Sequence, residues 1–303
     1  MTVGSALTRA AAGWQRPSVR ILVLAQIGAI LLAVVAVYGW PNHGDEDAYW
    51  RAAERLVRGD LLYDPAAPTN TGGAYWYPPV LVQALAPLTL LISSDVFRLL
   101  WTLVLVGCVW ILAGRNVFVA LACVAFVPVA LELSIRNVHL LIALLVFLAL
   151  RRSWVFLVPA VALKLAPVFG VVYLLAAGRR REAVLVLGFG VVVLAVSMLL
   201  APSAWAGFVG VVIVRAPADG GTFVSLPYPL RLGAGVVLAS LAGRRGGRAG
   251  EVGLVIAITV ASPTLWANAF SQLLAILPLL RVPRAVQEGR HPEPALERPA
   301  IAP

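Results

Sequence analysis

Three consecutive acidic residues are the first candidates for chemistry in this chain. Asp45, Glu46 and Asp47 lie in a polar segment that follows a long apolar stretch. A carboxylate held over an apolar cavity can act as a general base, because partial desolvation raises its pKa toward the working pH. Asp45 and Asp47 are therefore the candidate catalytic residues.

Both aspartates also have purely structural interpretations. An amphipathic helix is predicted from about Glu46 to Arg58, and Asp45 could cap its N-terminus. Asp47 lies four residues before Arg51 and could form an ion pair on the helix surface. On such a helix two of the three acidic side chains point apart, so no metal site is predicted.

Basic side chains that interrupt apolar segments are candidates for binding a phosphate. Arg136, Lys164 and Arg215 occupy such positions. Arginine binds phosphate through paired hydrogen bonds, whereas lysine acts as a point charge. Arg215 could instead extend to the membrane interface. Lys164 has apolar neighbours on both sides, which favours a functional role.

Tyrosines and asparagines near these charges are further candidates for substrate binding. Tyr75 and Tyr77 could stack on the faces of a sugar, although tyrosine also collects at membrane interfaces. Asn137 follows Arg136 in a predicted turn, and Asn268 lies in a second polar interruption. These side chains supply hydrogen-bond donors and acceptors where the chain is otherwise apolar.

The composition indicates that these candidate residues belong to a membrane protein. Of 303 residues, 61% are hydrophobic and 13% charged, and the mean hydropathy is +0.90. Soluble domains contain about 25% charged residues. This composition excludes a soluble enzyme, a nucleic-acid binder and a disordered chain. Apolar stretches of about 15–20 residues recur along the chain, so we predict an all-α, polytopic transmembrane helical bundle.

The arginines predict the orientation of this bundle. Short arginine clusters separate the apolar stretches and are expected on the cytoplasmic side. Following the chain between them gives about ten crossings. Pro79–Ile92, with 14 residues, is too short to cross and is predicted to be re-entrant or interfacial. The candidate residues then all fall on the outer side.

The same pattern divides the chain into three parts. Residues 1–20 form a predicted cytoplasmic N-terminus, residues 21–280 the transmembrane domain, and residues 281–303 a disordered cytoplasmic tail. Within the transmembrane domain, residues 40–78 form a first outer loop and residues 201–225 a later one. An outward-facing site covered by the first loop is the simplest arrangement of these parts.

Several motifs resemble those of GT-C fold glycosyltransferases that use polyprenol-phosphate sugars, in particular family 87 mannosyl- and arabinofuranosyltransferases. The similarity extends from Asp45 to Leu280, and the first loop is its most specific part. The motifs that carry it are Asp45-x-x-x-Tyr49, Ala52-Ala53, Gly59, Leu62-Tyr63-Asp64, Tyr75-Trp76-Tyr77-Pro78-Pro79, Arg136-Asn137, Leu163-Lys164-x-x-Pro167 and Ser262-Pro263-x-x-Trp266.

The resemblance implies an inverting transfer of a sugar, first of all mannose, from a polyprenyl-phosphate donor to a lipid or glycan acceptor. The reaction would occur at the outer face of the plasma membrane, without cofactor or nucleic acid, and Asp45 aligns with the family's base. Tyr49 belongs to the first-loop motif and is a predicted substrate-binding residue. The chain departs from the family at Leu265 and Asn268, where the family commonly has serine and histidine.

Two other classes of function remain open from the sequence. A non-catalytic relative that acts as an assembly partner would fit Asn268 and the short chain. A transporter or flippase for a lipid-linked glycan would fit polar sites between broken helices, although no internal repeat is visible in the sequence.

Overall fold

A computed structural model describes residues 44–64, 74–215, 227–263 and 265–281, together with Gln26. The described residues contain helices and no strand. The predicted first helix, Ile21–Tyr38, and the C-terminal tail lie outside them apart from Gln26 and Arg281. The α-helices are α1 (Asp45–Arg58), α2 (Pro79–Leu85), α3 (Ser94–Leu112), α4 (Val117–Val124), α5 (Val127–Ile135), α6 (His139–Arg151), α7 (Leu157–Leu163), α8 (Phe169–Ala176), α9 (Arg180–Leu200), α10 (Pro202–Gly207), α11 (Tyr228–Arg245), α12 (Gly247–Val260) and α13 (Ile276–Arg281).

Tighter or wider helical turns connect several of these helices. They matter because they change the direction of the chain where polar residues must be presented. The 3₁₀ segments are Ala86–Leu90, Trp154–Phe156, Ala166–Val168 and Ala267–Ala275, and a π-helix covers Phe208–Arg215.

Helix α1 confirms the amphipathic helix predicted in the first loop. Its inner face buries Tyr49, Ala52 and Ala53, while Arg51 and Arg58 are exposed. The helix ends at Gly59, whose φ of 75° is a left-handed conformation that glycine adopts without steric cost. Burial of the inner face fixes α1 against the bundle and thereby fixes the position of its first residue.

The expectation of about ten crossings is wrong for the described residues. In the part of the chain that the structure describes, only α3 and α9 are long and apolar enough to cross a membrane, with 19 and 21 residues. A third span is obtained if α4 and α5, which meet at 82°, are counted together. The remaining apolar helices in the described part are shorter, although their apolar character and that of α3 and α9 indicate a membrane protein.

Interruptions of the helices explain the lower number. Residues 117–133 form one apolar stretch in the sequence, but the chain bends between α4 and α5 just before Pro128. Proline has no backbone N–H and favours the first turn of a new helix. Hydropathy depends on residue type and not on the direction of the chain, so it does not detect such bends. It also does not distinguish a helix buried in protein from one facing lipid, because both are apolar.

Two further segments differ from simple spans and loops. Helix α2 and the following 3₁₀ turn, Ala86–Leu90, pack along α1 and do not form a long helix. Residues 201–225 were predicted as a loop, but α10 and the π-helix make this segment helical as far as Arg215. Phe208 and Val211 of this segment are buried, and burial of such apolar side chains favours a packed helix over an exposed loop.

Arginine contacts hold the core helices at both ends. At one end Arg151, the last residue of α6, forms paired bonds of 2.7 and 2.9 Å with Glu251 of α12. At the other end of α12, the buried Arg231 of α11 donates to the carbonyl oxygens of Ser262 and Pro263. Helix α6 therefore extends from the Arg151 end to an opposite end where its first residue is His139.

We predict that Glu251→Gln destabilises the protein by about 3 kcal/mol, because Arg151 would keep a largely buried charge without its counter-ion. Thermal or denaturant unfolding in detergent measures the change. Glu182→Gln is the matched control, since Glu182 pairs with Arg179 on the surface and should contribute less than about 1 kcal/mol. Equal effects of the two substitutions would contradict the assigned role of the Arg151–Glu251 pair.

Candidate active site

Asp45 is the first residue of α1 and joins it to two other parts of the chain. Its Oδ2 accepts a hydrogen bond of 3.1 Å from the Tyr77 hydroxyl and a short one from the Asn137 side-chain amide. The same amide lies 2.7 Å from the Tyr77 hydroxyl. Gly44 occupies the N-cap position, so capping does not explain Asp45. The structure thus brings together three of the predicted site residues.

Gly44 permits the close approach of α1 to the end of α5. A Cβ atom at this position would lie 2.6 Å from the carbonyl oxygen of Ile135 and would overlap the Glu46 carboxylate. Such distances require the backbone to move. A side chain at position 44 would therefore move Asp45 away from Asn137, a dependence that sequence reasoning did not identify.

The turn between α5 and α6 presents most of the polar groups. Arg136 ends α5 with a φ of 55°, in the left-handed region, and its carbonyl oxygen accepts a hydrogen bond of 2.8 Å from the Trp101 indole. The Asn137 side-chain oxygen accepts from the backbone N–H of Val138. Asn137 is thereby oriented with its amide group toward Asp45.

Glu132 is a central residue that sequence reasoning missed. Its buried carboxylate lies 2.9 Å from His139 Nδ1 and accepts a bond of 2.8 Å from the Asn268 side-chain amide. It also accepts from the backbone N–H of His139, the first residue of α6. A single acid within the apolar run of α5 was the available signal, because an ionisable residue in such a segment is costly unless it functions.

Lys164 completes the cluster from the break between α7 and the Ala166–Val168 turn. Its Nζ lies 2.7 Å from His139 Nε2 and 5.2 Å from the centre of the Tyr77 ring. Hydrogen bonds and ring contact therefore connect Asp45 to Lys164 through Tyr77, and Lys164 to Glu132 through His139. Asp45 and Lys164 remain partly exposed, whereas Glu132 and His139 are buried.

The surroundings change the pKa values of the two partly exposed charged groups, Asp45 and Lys164. Burial raises the pKa of Asp45 from its usual 3.8 to about 6, although Lys164 and the hydrogen bonds from Tyr77 and Asn137 oppose this shift. Burial likewise lowers the pKa of Lys164 from 10.5 to about 8, with Glu132 and Asp45 opposing the shift. Near neutral pH the site therefore holds a carboxylate able to accept a proton and an ammonium able to stabilise an anion.

The other acids of α1 have different partners. Glu46, which is fully buried, forms ion pairs of 2.6 Å with Arg136 and 3.3 Å with Arg98. Asp47 forms an ion pair of 3.0 Å with Arg98. Glu46 and Asp47 therefore share Arg98, whereas Asp45 bonds to Tyr77 and Asn137. In the described residues no group of three His, Cys, Asp or Glu side chains could hold a metal. Asp45 alone of the three joins the cluster.

The predicted aromatic residues lie mainly behind Tyr77. The Tyr49 ring packs edge-on against Tyr77, with ring centres 4.9 Å apart, and it is fully buried. Tyr75 is also buried and donates to the Pro78 carbonyl oxygen. These contacts orient Tyr77. Arg215 ends the π-helix, and its side chain lies outside the described part of the chain.

We predict that Gly44→Ala lowers activity at least about tenfold by displacing Asp45, because a shift of about 1 Å in catalytic geometry has effects of this size or larger. The initial rate of the reaction assigned below is the measurement. Gly107→Ala is the matched control, since a Cβ atom there meets nothing within 4 Å. A Gly44→Ala protein as active as Gly107→Ala would contradict the close approach.

Comparison with known proteins shows a similarity to one protein family. Residues 75–225 match the model of glycosyltransferase family 87, a range that includes Tyr77, Asn137 and Lys164 but not Asp45 or Asn268. No curated protein and no solved structure shows significant similarity to the chain. The matched range covers about half of the chain, and with the apolar helices it indicates that this protein is a membrane glycosyltransferase similar to family 87.

Proposed function

We propose that the chain is an integral membrane enzyme that transfers a sugar from a polyprenyl-phosphate donor to a hydroxyl group of a lipid or glycan acceptor, with inversion. The observation that carries this proposal is the pairing of Asp45 and Lys164 in one network, joined through Tyr77. Mannose is the proposed sugar, and a GT-C-like arrangement the proposed fold, on the resemblance of the first loop.

The transfer uses the two charged groups for different steps. The acceptor oxygen forms a bond to the anomeric carbon, and its proton passes to Asp45. The bond between the anomeric carbon and the phosphate oxygen breaks, and the electron pair leaves with the lipid phosphate. Negative charge then increases on the phosphate, where the Lys164 ammonium stabilises it.

Inversion also requires the base and the leaving group to act on opposite faces of the sugar. Asp45 contacts the hydroxyl group of Tyr77, whereas Lys164 lies over the face of the same ring. A sugar bound between these two charges would present one face to each. Tyr77 is therefore the proposed central contact of the sugar.

The two ends of the core support an outward-facing site. Helix α6 has 13 residues, or about 20 Å of rise, between His139 at the cluster and Arg151 at the opposite end. Arg281 also lies at that opposite end, where it donates to the Ala113 carbonyl oxygen after α3. Arginines flanking membrane helices favour the cytoplasm, whereas Arg98 and Arg136 at the cluster end are paired with acids of α1. We therefore place the cluster at the outer face of the plasma membrane.

The function is tested by transfer of radiolabelled mannose from polyprenyl-phosphate-mannose to membrane glycolipids. Asp45→Asn should reduce transfer by about 100-fold or more, because the base is lost. Asp60→Asn, an exposed change in the same loop, is the control and should keep the wild-type rate. A wild-type rate of transfer in the Asp45→Asn variant would show that another residue is the base, and Asp47 would be tested next.

A wild-type protein that transfers neither mannose nor arabinofuranose from polyprenyl phosphate would contradict the proposed function. That result would favour a non-catalytic relative or a transporter. Pull-down of partner proteins and uptake of lipid-linked glycan into vesicles distinguish these two alternatives.

The pH dependence of kcat/KM gives a separate prediction. Because burial raises the pKa of Asp45 to about 6 and lowers that of Lys164 to about 8, the rate should increase with pH through the first value and fall through the second. Lys164→Arg should remove the fall on the basic side, since arginine stays charged. A rate that is constant from about pH 5 to 7 would exclude Asp45 as the base.

A further inference from the structure

Glu132 and His139 have no direct part in the transfer as proposed, although they occupy the centre of the cluster. Both are buried, and Glu132 lies within the apolar helix α5. An ionisable side chain in such a helix is costly to retain. His139 contacts both Glu132 and Lys164, which indicates that the pair positions the Lys164 side chain.

The hydrogen bonds around Glu132 determine which nitrogen of His139 carries the proton. The backbone N–H of His139 and the Asn268 amide both donate to the Glu132 carboxylate. With these donors present, both carboxylate oxygens act as acceptors, and His139 must place its proton on Nδ1, 2.9 Å from Glu132. Its Nε2 is then an acceptor.

This tautomer explains the position of Lys164. The Lys164 ammonium can donate only, and it lies 2.7 Å from the acceptor Nε2. One N–H bond is thereby fixed, and the side chain is held over the face of Tyr77. The ammonium remains partly exposed, so its other N–H bonds can meet a ligand.

We propose that Glu132 and His139 are positioning residues that aim the Lys164 ammonium at the phosphate of the lipid-linked donor. The inference rests on the proposed function, in which Lys164 stabilises that phosphate. It extends the function by assigning a chain of three side chains, Glu132, His139 and Lys164, in which only the last touches the substrate. Comparable outer contacts orient the histidines that bind metals.

Two substitutions of His139 separate its two hydrogen bonds. Glutamine carries an oxygen near the position of Nε2 and can accept from Lys164, but it lacks the N–H at the Nδ1 position. Asparagine keeps an N–H for Glu132 but does not reach Lys164. A purely structural role predicts similar losses for both variants, whereas the proposed role predicts that glutamine preserves phosphate binding and asparagine does not.

The measurement is the binding preference for a polyprenyl phosphate over the uncharged polyprenol of equal chain length, in detergent micelles. Wild type should prefer the phosphate, and Lys164→Met should remove the preference. His139→Asn should reduce it at least about tenfold, the expected size for one misdirected charge-assisted hydrogen bond, while His139→Gln keeps most of it. Ser134→Ala on α5 is the control, because the Ser134 hydroxyl donates to the carbonyl oxygen of Ala130 in its own helix.

Glu132→Gln gives a second measurement if His139→Asn does not fold. The amide group of glutamine can donate toward Nδ1, which shifts the histidine proton to Nε2 and removes the acceptor for Lys164. Phosphate preference should fall with little change in polyprenol binding. Wild-type preference in Glu132→Gln or in His139→Asn would overturn the inference.

The binding test also separates this inference from the proposed function. A phosphate preference that depends on His139, without sugar transfer by the wild type, would support the positioning role and reject the transferase. Sugar transfer by the wild type, together with a phosphate preference that is unchanged in His139→Asn, would reject the positioning role alone.

Discussion

Buried charge is the constraint on which the rest of the structure depends. Asp45, Glu132 and Lys164 lie within an apolar bundle, where a charge without a partner is costly. Within the described residues each is bonded by groups from other segments: Tyr77 and Asn137 for Asp45, His139 and Asn268 for Glu132, and His139 for Lys164. The cluster therefore forms only when α1, the α5–α6 turn and the Lys164 break are assembled together.

This constraint also accounts for the short helices. A continuous helix uses its backbone N–H groups internally, whereas an interrupted helix leaves free N–H groups at each new start. The N–H of His139, at the start of α6, is used in this way by Glu132. The left-handed Arg136 turns the chain so that Glu132 and His139 face each other. Interruptions that reduce the number of long spans thus provide the polar groups of the site.

Much of the site could be predicted from residue type, but its connections could not. Asp45, Tyr77, Asn137 and Lys164 stand out in the sequence because polar residues are rare there, and α1 follows from its period and Gly59. Hydropathy cannot show where an apolar run bends, so the number of crossings was overestimated. Glu132 was missed because its partners His139 and Asn268 are 7 and 136 residues distant in sequence.

The carboxylates of Asp45 and Glu132 show how surroundings give one functional group two roles. Asp45 is partly exposed, and its carboxylate is held by one hydroxyl and one amide group, so it can still receive a proton from a substrate. The Glu132 carboxylate is enclosed and accepts from three N–H groups. It is therefore suited to orienting His139 and, through it, Lys164. In the proposed transfer, separation of the proton acceptor from the orienting acid would allow one small cluster to act at both faces of a sugar.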